Sequence, residues 1–170
     1  MISPKKTISS LSSSTPAVRK LRKLSNVLDN AIAIPGTSYR IGLDPILGLI
    51  PGGGDLVGGV LSAYIVFKAF EFGVPRKTLV QMATNIALET VAGTIPVLGD
   101  VFDVAWKANV KNVELLESYF ELPADEQQPA NRWFVLLLIA GLLLLILVVA
   151  ILGLAVIGLV WNGLRTVLSS

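Results

Sequence analysis

Leu43-Asp44-Pro45-Ile46-Leu47-Gly48-Leu49-Ile50-Pro51-Gly52-Gly53-Gly54-Asp55 returns 45 residues later as Leu88-Glu89-Thr90-Val91-Ala92-Gly93-Thr94-Ile95-Pro96-Val97-Leu98-Gly99-Asp100. Leucine, glycine, isoleucine, proline, glycine and aspartate recur in register, Glu89 answers to Asp44, and Val91 to Ile46. Such a repeat implies two copies of one supersecondary unit packed on each other. Each copy reads as helix, Pro-x-x-Gly-Asp turn, helix: proline ends the first helix, glycine turns the chain, and aspartate caps the second. The first unit is expected from about Ile41 to Phe72 and the second from Thr78 to Tyr119, joined by Gly73-Val74-Pro75-Arg76-Lys77. Equivalent helices then point the same way, so the repeat is a parallel one.

Outward from the repeat, the C-terminal side is the simplest to read. No charged residue occurs from Trp133 to Trp161. A run of about 20 apolar residues suffices to cross a bilayer. At about 1.5 Å per residue the two tryptophans stand ~42 Å apart, the thickness of a bilayer with both headgroup zones. Tryptophans at both ends match an aromatic belt, with Arg132 and Arg165 beyond them. A transmembrane helix is expected over 133–161, after a proline-containing linker over 121–132.

On the N-terminal side, residues 1–14 are serine-rich and read as a disordered tail, a composition that organelle transit peptides share. Thr15-Pro16 then reads as an N-cap with proline at the first helical position. Val18, Leu21, Leu24, Leu28 and Ile32 follow at helical spacing, with Arg19, Lys20, Arg22 and Lys23 among them. This basic amphipathic helix, over 15–34, has two uses. It can lie on an anionic membrane surface through its basic residues, or pack its apolar stripe on the rest of the chain. The duplicated hairpin domain fills 36–120. The expected fold class is therefore an all-α membrane protein: a basic amphipathic helix, two repeated helix–PxxGD–helix hairpins and a C-terminal transmembrane helix.

Composition supports this class and removes others. Apolar residues make up 53% and charged residues 15%, an excess of the former that points to a membrane. The chain has no cysteine and no histidine, so disulfides, thiolate chemistry and the usual general base and zinc ligand are excluded. No catalytic constellation is left to propose, and no cofactor motif is present. Gly52-Gly53-Gly54 is not a phosphate loop, because no Gly-Lys-Ser/Thr follows and Asp55 would repel phosphate. Nucleic-acid binding is not expected, since no aromatics interleave with the basic residues of the helix.

The candidate functional residues are acids and amides. Asp55 and Asp100 hold equivalent places at helix N-termini, Asp44 and Glu89 lie eleven residues before them, and Asp103 lies one turn past Asp100. Oxygen donors of this kind suit Ca²⁺ or Mg²⁺, or a cation path between the units. Their plainer reading is local: Asp55 and Asp100 as N-caps, Asp103 paired with Lys107, and Asp44 and Glu89 hydrogen-bonded to nearby backbone or to Arg40. Gly54, Gly58 and Ser62, extended by Gly59 and Ala63, form a small-residue strip that lets helices approach closely. In re-entrant or interfacial hairpins the N-terminal basic residues, Arg76/Lys77 and Lys107/Lys111/Arg132 would share one face. The positive-inside rule makes that face, and the N-terminus, cytoplasmic.

Gly42-Leu43-Asp44-Pro45, Leu49-Ile50-Pro51-Gly52-x-Gly54-Asp55, Gly73-Val74-Pro75-Arg76, Ile95-Pro96-Val97-Leu98-Gly99-Asp100-Val101-Phe102-Asp103 and Ala108-Asn109 together resemble the domain-of-unknown-function family numbered 4112, over about residues 26–118. The resemblance implies a small helical domain, often in membrane-associated prokaryotic proteins, and transfers no catalytic residue. Two functions are thus carried forward. One is a non-enzymatic scaffold or assembly partner in a membrane, with the bilayer and a protein partner or homo-oligomer as its contacts. The other is a small ion-handling membrane protein whose carboxylates line a cation site between the repeats.

Overall fold

A computed structural model describes residues 15–33, 35–37, 40–42, 54–94, 105–121 and 129–168. Among these residues the architecture is all-helical apart from one two-residue ladder. Helix α1 (Pro16–Asn30) begins where Thr15-Pro16 places it, the Thr15 carbonyl accepting the Arg19 N–H at 3.0 Å. Strands β1 (Ile32–Ala33) and β2 (Arg40–Ile41) then pair antiparallel, Ile32 with Ile41 and Ala33 with Arg40. Four longer helices follow: α2 (Gly54–Glu71), α3 (Arg76–Ala92), α4 (Ala108–Tyr119) and α5 (Arg132–Leu168).

Ile41, about where the first repeat unit is expected to open, belongs to β2, and residues 43–53, which would hold that unit's first helix, lie outside the described residues. The equivalent of Ile41 in the second copy, 45 positions on, lies in α3. Pro35 and Gly36, the latter at φ +79°, form a turn between the strands that draws 40–41 back onto 32–33. Residues 51–53 of the first Pro-x-x-Gly-Asp turn and all of the second, with Asp44, Asp100 and Asp103, lie outside the described residues.

The α2–α3 corner is the expected Gly73-Val74-Pro75. Gly73 takes φ +86° and donates to the Phe70 carbonyl at 2.8 Å, while Val74 donates to Ala69 at 3.2 Å. These bonds satisfy carbonyls at the end of α2. Pro75, extended, then stands at the N-cap of α3. Three antiparallel or parallel relations follow from side-chain contacts. Glu89 meets Ala108 and Asn85 meets Asn112, so α4 runs antiparallel to α3. Asp29 meets Val110 and Arg22 meets Glu117, so α4 is antiparallel to α1 as well. The Arg76 guanidinium lies over the Phe134 ring at 4.1 Å, which starts α3 and α5 at the same end of the bundle.

The core lies between the α1/α4 pair and the α2/α3 hairpin. Val18, Leu28, Ile65, Val66, Leu79, Met82, Val113 and Leu116 are buried there. Helix α5 covers the far side of the hairpin with Val135, Leu142, Ile146 and Ala150. From Ile151 to Leu168 every residue of α5 is exposed. Among the described residues α5 is the one helix long and apolar enough to cross a membrane.

The small-residue strip of α2 sits where the helices crowd. Gly58 and Ser62 are buried, and the Ser62 hydroxyl donates to the Gly58 carbonyl at 3.0 Å. Beside them, a Cβ on Gly59 would stand 2.6 Å from Cδ1 of Ile146 on α5. Gly59→Ala should therefore destabilise the α2–α5 contact by about 1–3 kcal/mol through overpacking. The companion change Ile146→Val should recover part of that loss in a thermal melt.

Candidate functional site

The polar groups of the bundle gather at the N-terminus of α4. A helix start leaves backbone N–H groups without intrahelical partners, and here two other helices supply the acceptors. Glu89 of α3 accepts the Ala108 N–H on Oε1 at 3.1 Å. Asp29 of α1 accepts the Val110 N–H on Oδ2 at 2.8 Å, and the Asn109 side-chain amide on Oδ1 at 2.8 Å. Carboxylates at this position also oppose the positive end of the helix dipole. The preceding residue, Lys107, turns the chain into α4 in the left-handed region, at φ 50°. Its ammonium donates to the Asn30 side-chain oxygen, next to Asp29.

A second row of contacts lies one turn further along α4. Asn112 is buried; its amide donates to the Met82 carbonyl at 3.0 Å and its oxygen accepts from Asn85 at 2.9 Å. The Trp106 indole N–H donates to the Asn85 carbonyl at 3.1 Å, and the Lys111 ammonium lies 3.2 Å from the Trp106 ring centroid. These contacts bind α1, α3 and α4 into one unit, in which Asn109 and Asn112 are fully buried and Asp29 nearly so. Burial pushes the Asp29 carboxyl above its ordinary value. The hydrogen bonds from Asn109 and Val110 and the Lys107 charge oppose that rise without cancelling it.

The residues singled out in the sequence fall in different places. Glu89 is half-buried and caps α4 rather than its own helix. Asp55 lies in the first turn of α2. Among the described residues no three acids gather as a metal would require. On α1, Arg19, Lys20 and Lys23 are exposed, whereas Arg22 pairs with Glu117 and, at 3.6 Å, with Glu114. The helix thus packs its apolar stripe on α4 and keeps three of its four basic residues in solvent. Lys107 and Lys111 stand at the opposite end of the bundle from Arg76 and Lys77, because α4 runs back along α3. The basic residues therefore do not share the single face expected of them.

Asp29 and Gly42 hold structural roles that the sequence did not assign to them. Gly42 is buried against the end of α1, where a Cβ would overlap the Leu28 carbonyl oxygen. The model of the family described as Domain of unknown function (DUF4112) matches residues 17–120. The chain belongs to the DUF4112 family. No curated protein and no solved structure matches it. The DUF4112 match starts at the first turn of α1, ahead of the motif residues that carry the resemblance, and ends after α4. This extent agrees with the packing, since Asp29 on α1 completes the start of α4. Helix α5 lies outside the matched region and is joined to the DUF4112 domain by its contacts with α2 and α3.

Proposed function

We propose that this DUF4112 protein is a membrane-anchored, non-enzymatic helical scaffold, docked on the cytoplasmic side of a bilayer and assembled with a protein partner. The observation that carries the reading is the free half of α5. Residues 151–168 extend past the domain with every side chain exposed, and nearly all of those side chains are apolar. Water would oppose such a helix, whereas acyl chains would cover it at no cost. Orientation follows from charge. Arg19, Lys20, Arg22, Lys23, Arg76, Lys77 and Arg132 precede the span, and by the positive-inside rule this supports a cytoplasmic domain. The two Pro-x-x-Gly-Asp motifs are read as corners leading into α2 and towards α4. A helix start held by carboxylates from two neighbouring helices suits holding rather than reacting.

Alkaline carbonate extraction tests the anchor. The full chain should stay with the membrane pellet, and a chain ending at Ala150 should be released with its domain folded. Release of the full chain by carbonate would mean that α5 does not cross. The scaffold role is tested by affinity purification of the full chain from native membranes. A stoichiometric partner that survives extraction is the expected result, and recovery of this chain free of any partner or second copy counts against it.

A further inference from the structure

The outer face of α5 has no partner within the domain, and its spacing differs from that of the inner face. Leu137, Gly141, Leu144, Val148, Ile151 and Ala155 are all exposed and alternate by four and three residues, a pattern that continues to Asn162. A mean repeat of 3.5 keeps one stripe facing a second helix along its whole length. This stripe lies opposite the side that buries Val135, Leu142, Ile146 and Ala150 against α2 and α3. It begins beside the domain and runs without a break into the free half of the helix.

Lipid does not account for the first part of the stripe. Trp161 and Arg165 mark the far boundary of the span, and about 20 residues of helix cross a ~30 Å hydrocarbon core, so the near boundary falls close to Leu142. The turns before it expose Trp133 and Leu136 as well as Leu137, which is 74% exposed. Those turns share the end of the bundle with Arg76, Lys77 and the Arg22–Glu117 pair, groups that belong in water. From Trp133 to Val148, together with exposed Val57, Val60, Tyr64 and Phe67 of α2, the open apolar face runs across that boundary and totals on the order of 1,000 Å². Counted on both sides of the boundary, it reaches the roughly 800 Å² per partner that a stable interface buries.

We infer that a second copy of this chain covers the face, in a parallel dimer whose two-fold axis runs along α5. The same axis pairs the helices outside and inside the bilayer, so one seam serves both segments. Gly141 leaves room on this face for a second helix, because nothing lies within 4 Å of a Cβ built there. Asn162 lies on the same stripe at the far boundary, where its side-chain amide can bond across two helices. The α1/α4 layers of the two copies face outward. This inference rests on α5 crossing the bilayer as proposed above.

The chain contains no cysteine, so single cysteines report contacts against a silent background. Full-length Leu137→Cys and Leu144→Cys, oxidised in native membranes, should move most of the chain into a disulfide-linked dimer. Lys20→Cys and Val80→Cys, exposed on α1 and α3, should remain monomeric. Monomer at both 137 and 144 would overturn the dimer, with lipid covering the face, and so would crosslinking of either to a species of another mass. Light scattering of the unmodified chain in detergent supplies an independent reading if the variants misfold; two chains per particle are expected, and one chain overturns the inference. Flotation of the same samples separates this from the anchor. A chain that fails to float with lipid refutes the membrane reading, even where its crosslinked dimer persists in solution.

Discussion

Asp29→Ala is expected to lower the stability of the domain by about 2–4 kcal/mol, the larger effect of any single side-chain truncation outside the apolar core. The change leaves the Val110 N–H and the Asn109 amide without their acceptor in a buried place. An unsatisfied buried group costs about 1–3 kcal/mol. Relief of a buried charge offsets part of that sum. Asp29→Asn should cost roughly half as much, because its carbonyl can still accept from one of the two donors while its amide faces the other. Thermal unfolding in detergent reads both, with Lys20→Ala as a surface control expected within about 0.5 kcal/mol of the parent chain. Trypsin gives a local readout, since loosening α1 exposes Arg19, Lys20, Arg22 and Lys23 to cleavage. A melting temperature and cleavage rate for Asp29→Ala equal to the parent's would show that Asp29 does not hold α1 to α4.

The same carboxyl gives a pH dependence of definite sign. Its pKa is raised on folding, from 3.8, chiefly by burial. The folded chain therefore binds this proton more tightly than the unfolded chain does. The stability it contributes is full below the ordinary carboxyl range and declines as pH rises through the raised folded value. Parent and Asp29→Asn melts, compared from about pH 4 upward, should differ by an amount that shifts against the parent as pH rises and then levels off. A difference constant across that range would mean that burial does not disfavour the charged form.

How much of this was legible in the chain depends on the distance over which each feature is encoded. Helix α5 is written locally, in a run without charge between Trp133 and Trp161, and it was read directly. So was the α2–α3 corner, where Gly73 and Pro75 each impose their own backbone geometry. Asp29 stood in view as well. It lies four residues after buried Ser25 and eleven after buried Val18, on the apolar stripe of α1 rather than its charged side. What concealed its role is that its partner Asn109 lies 80 residues away. Glu89 was recognised as a candidate, but its use as the cap of a different helix depends on how α3 and α4 pack. The pairing of Ile41 with Ile32 satisfies backbone groups that the repeat pattern alone does not assign. Ion handling draws no support from the described residues, because Glu89 is already engaged with α4.

Gly42→Ala is the second large effect expected, and it tests whether the end of α1 is held from behind as well as from Asp29. A Cβ at Gly42 would overlap the Leu28 carbonyl oxygen and lie 2.8 Å from the Asp29 Cα. Both are backbone atoms, so no side-chain rotation relieves the contact, and either α1 or β2 must move. A loss of about 3 kcal/mol or more is expected, at the upper end of overpacking effects. Gly36→Ala makes the useful contrast: at φ +79° with nothing within 4 Å, it should cost only the roughly 1–2 kcal/mol of left-handed strain. The decisive measurement is a double-mutant cycle. Once Gly42→Ala has displaced the last turn of α1, Asp29 no longer reaches α4, so adding Asp29→Ala should cost less than it does alone. Additive losses would separate the two, leaving Gly42 as a spacer for β2 and Asp29 as an independent cap. Sub-additive losses would establish that the β2 backbone, Gly42 and Asp29 act together to set where α4 begins.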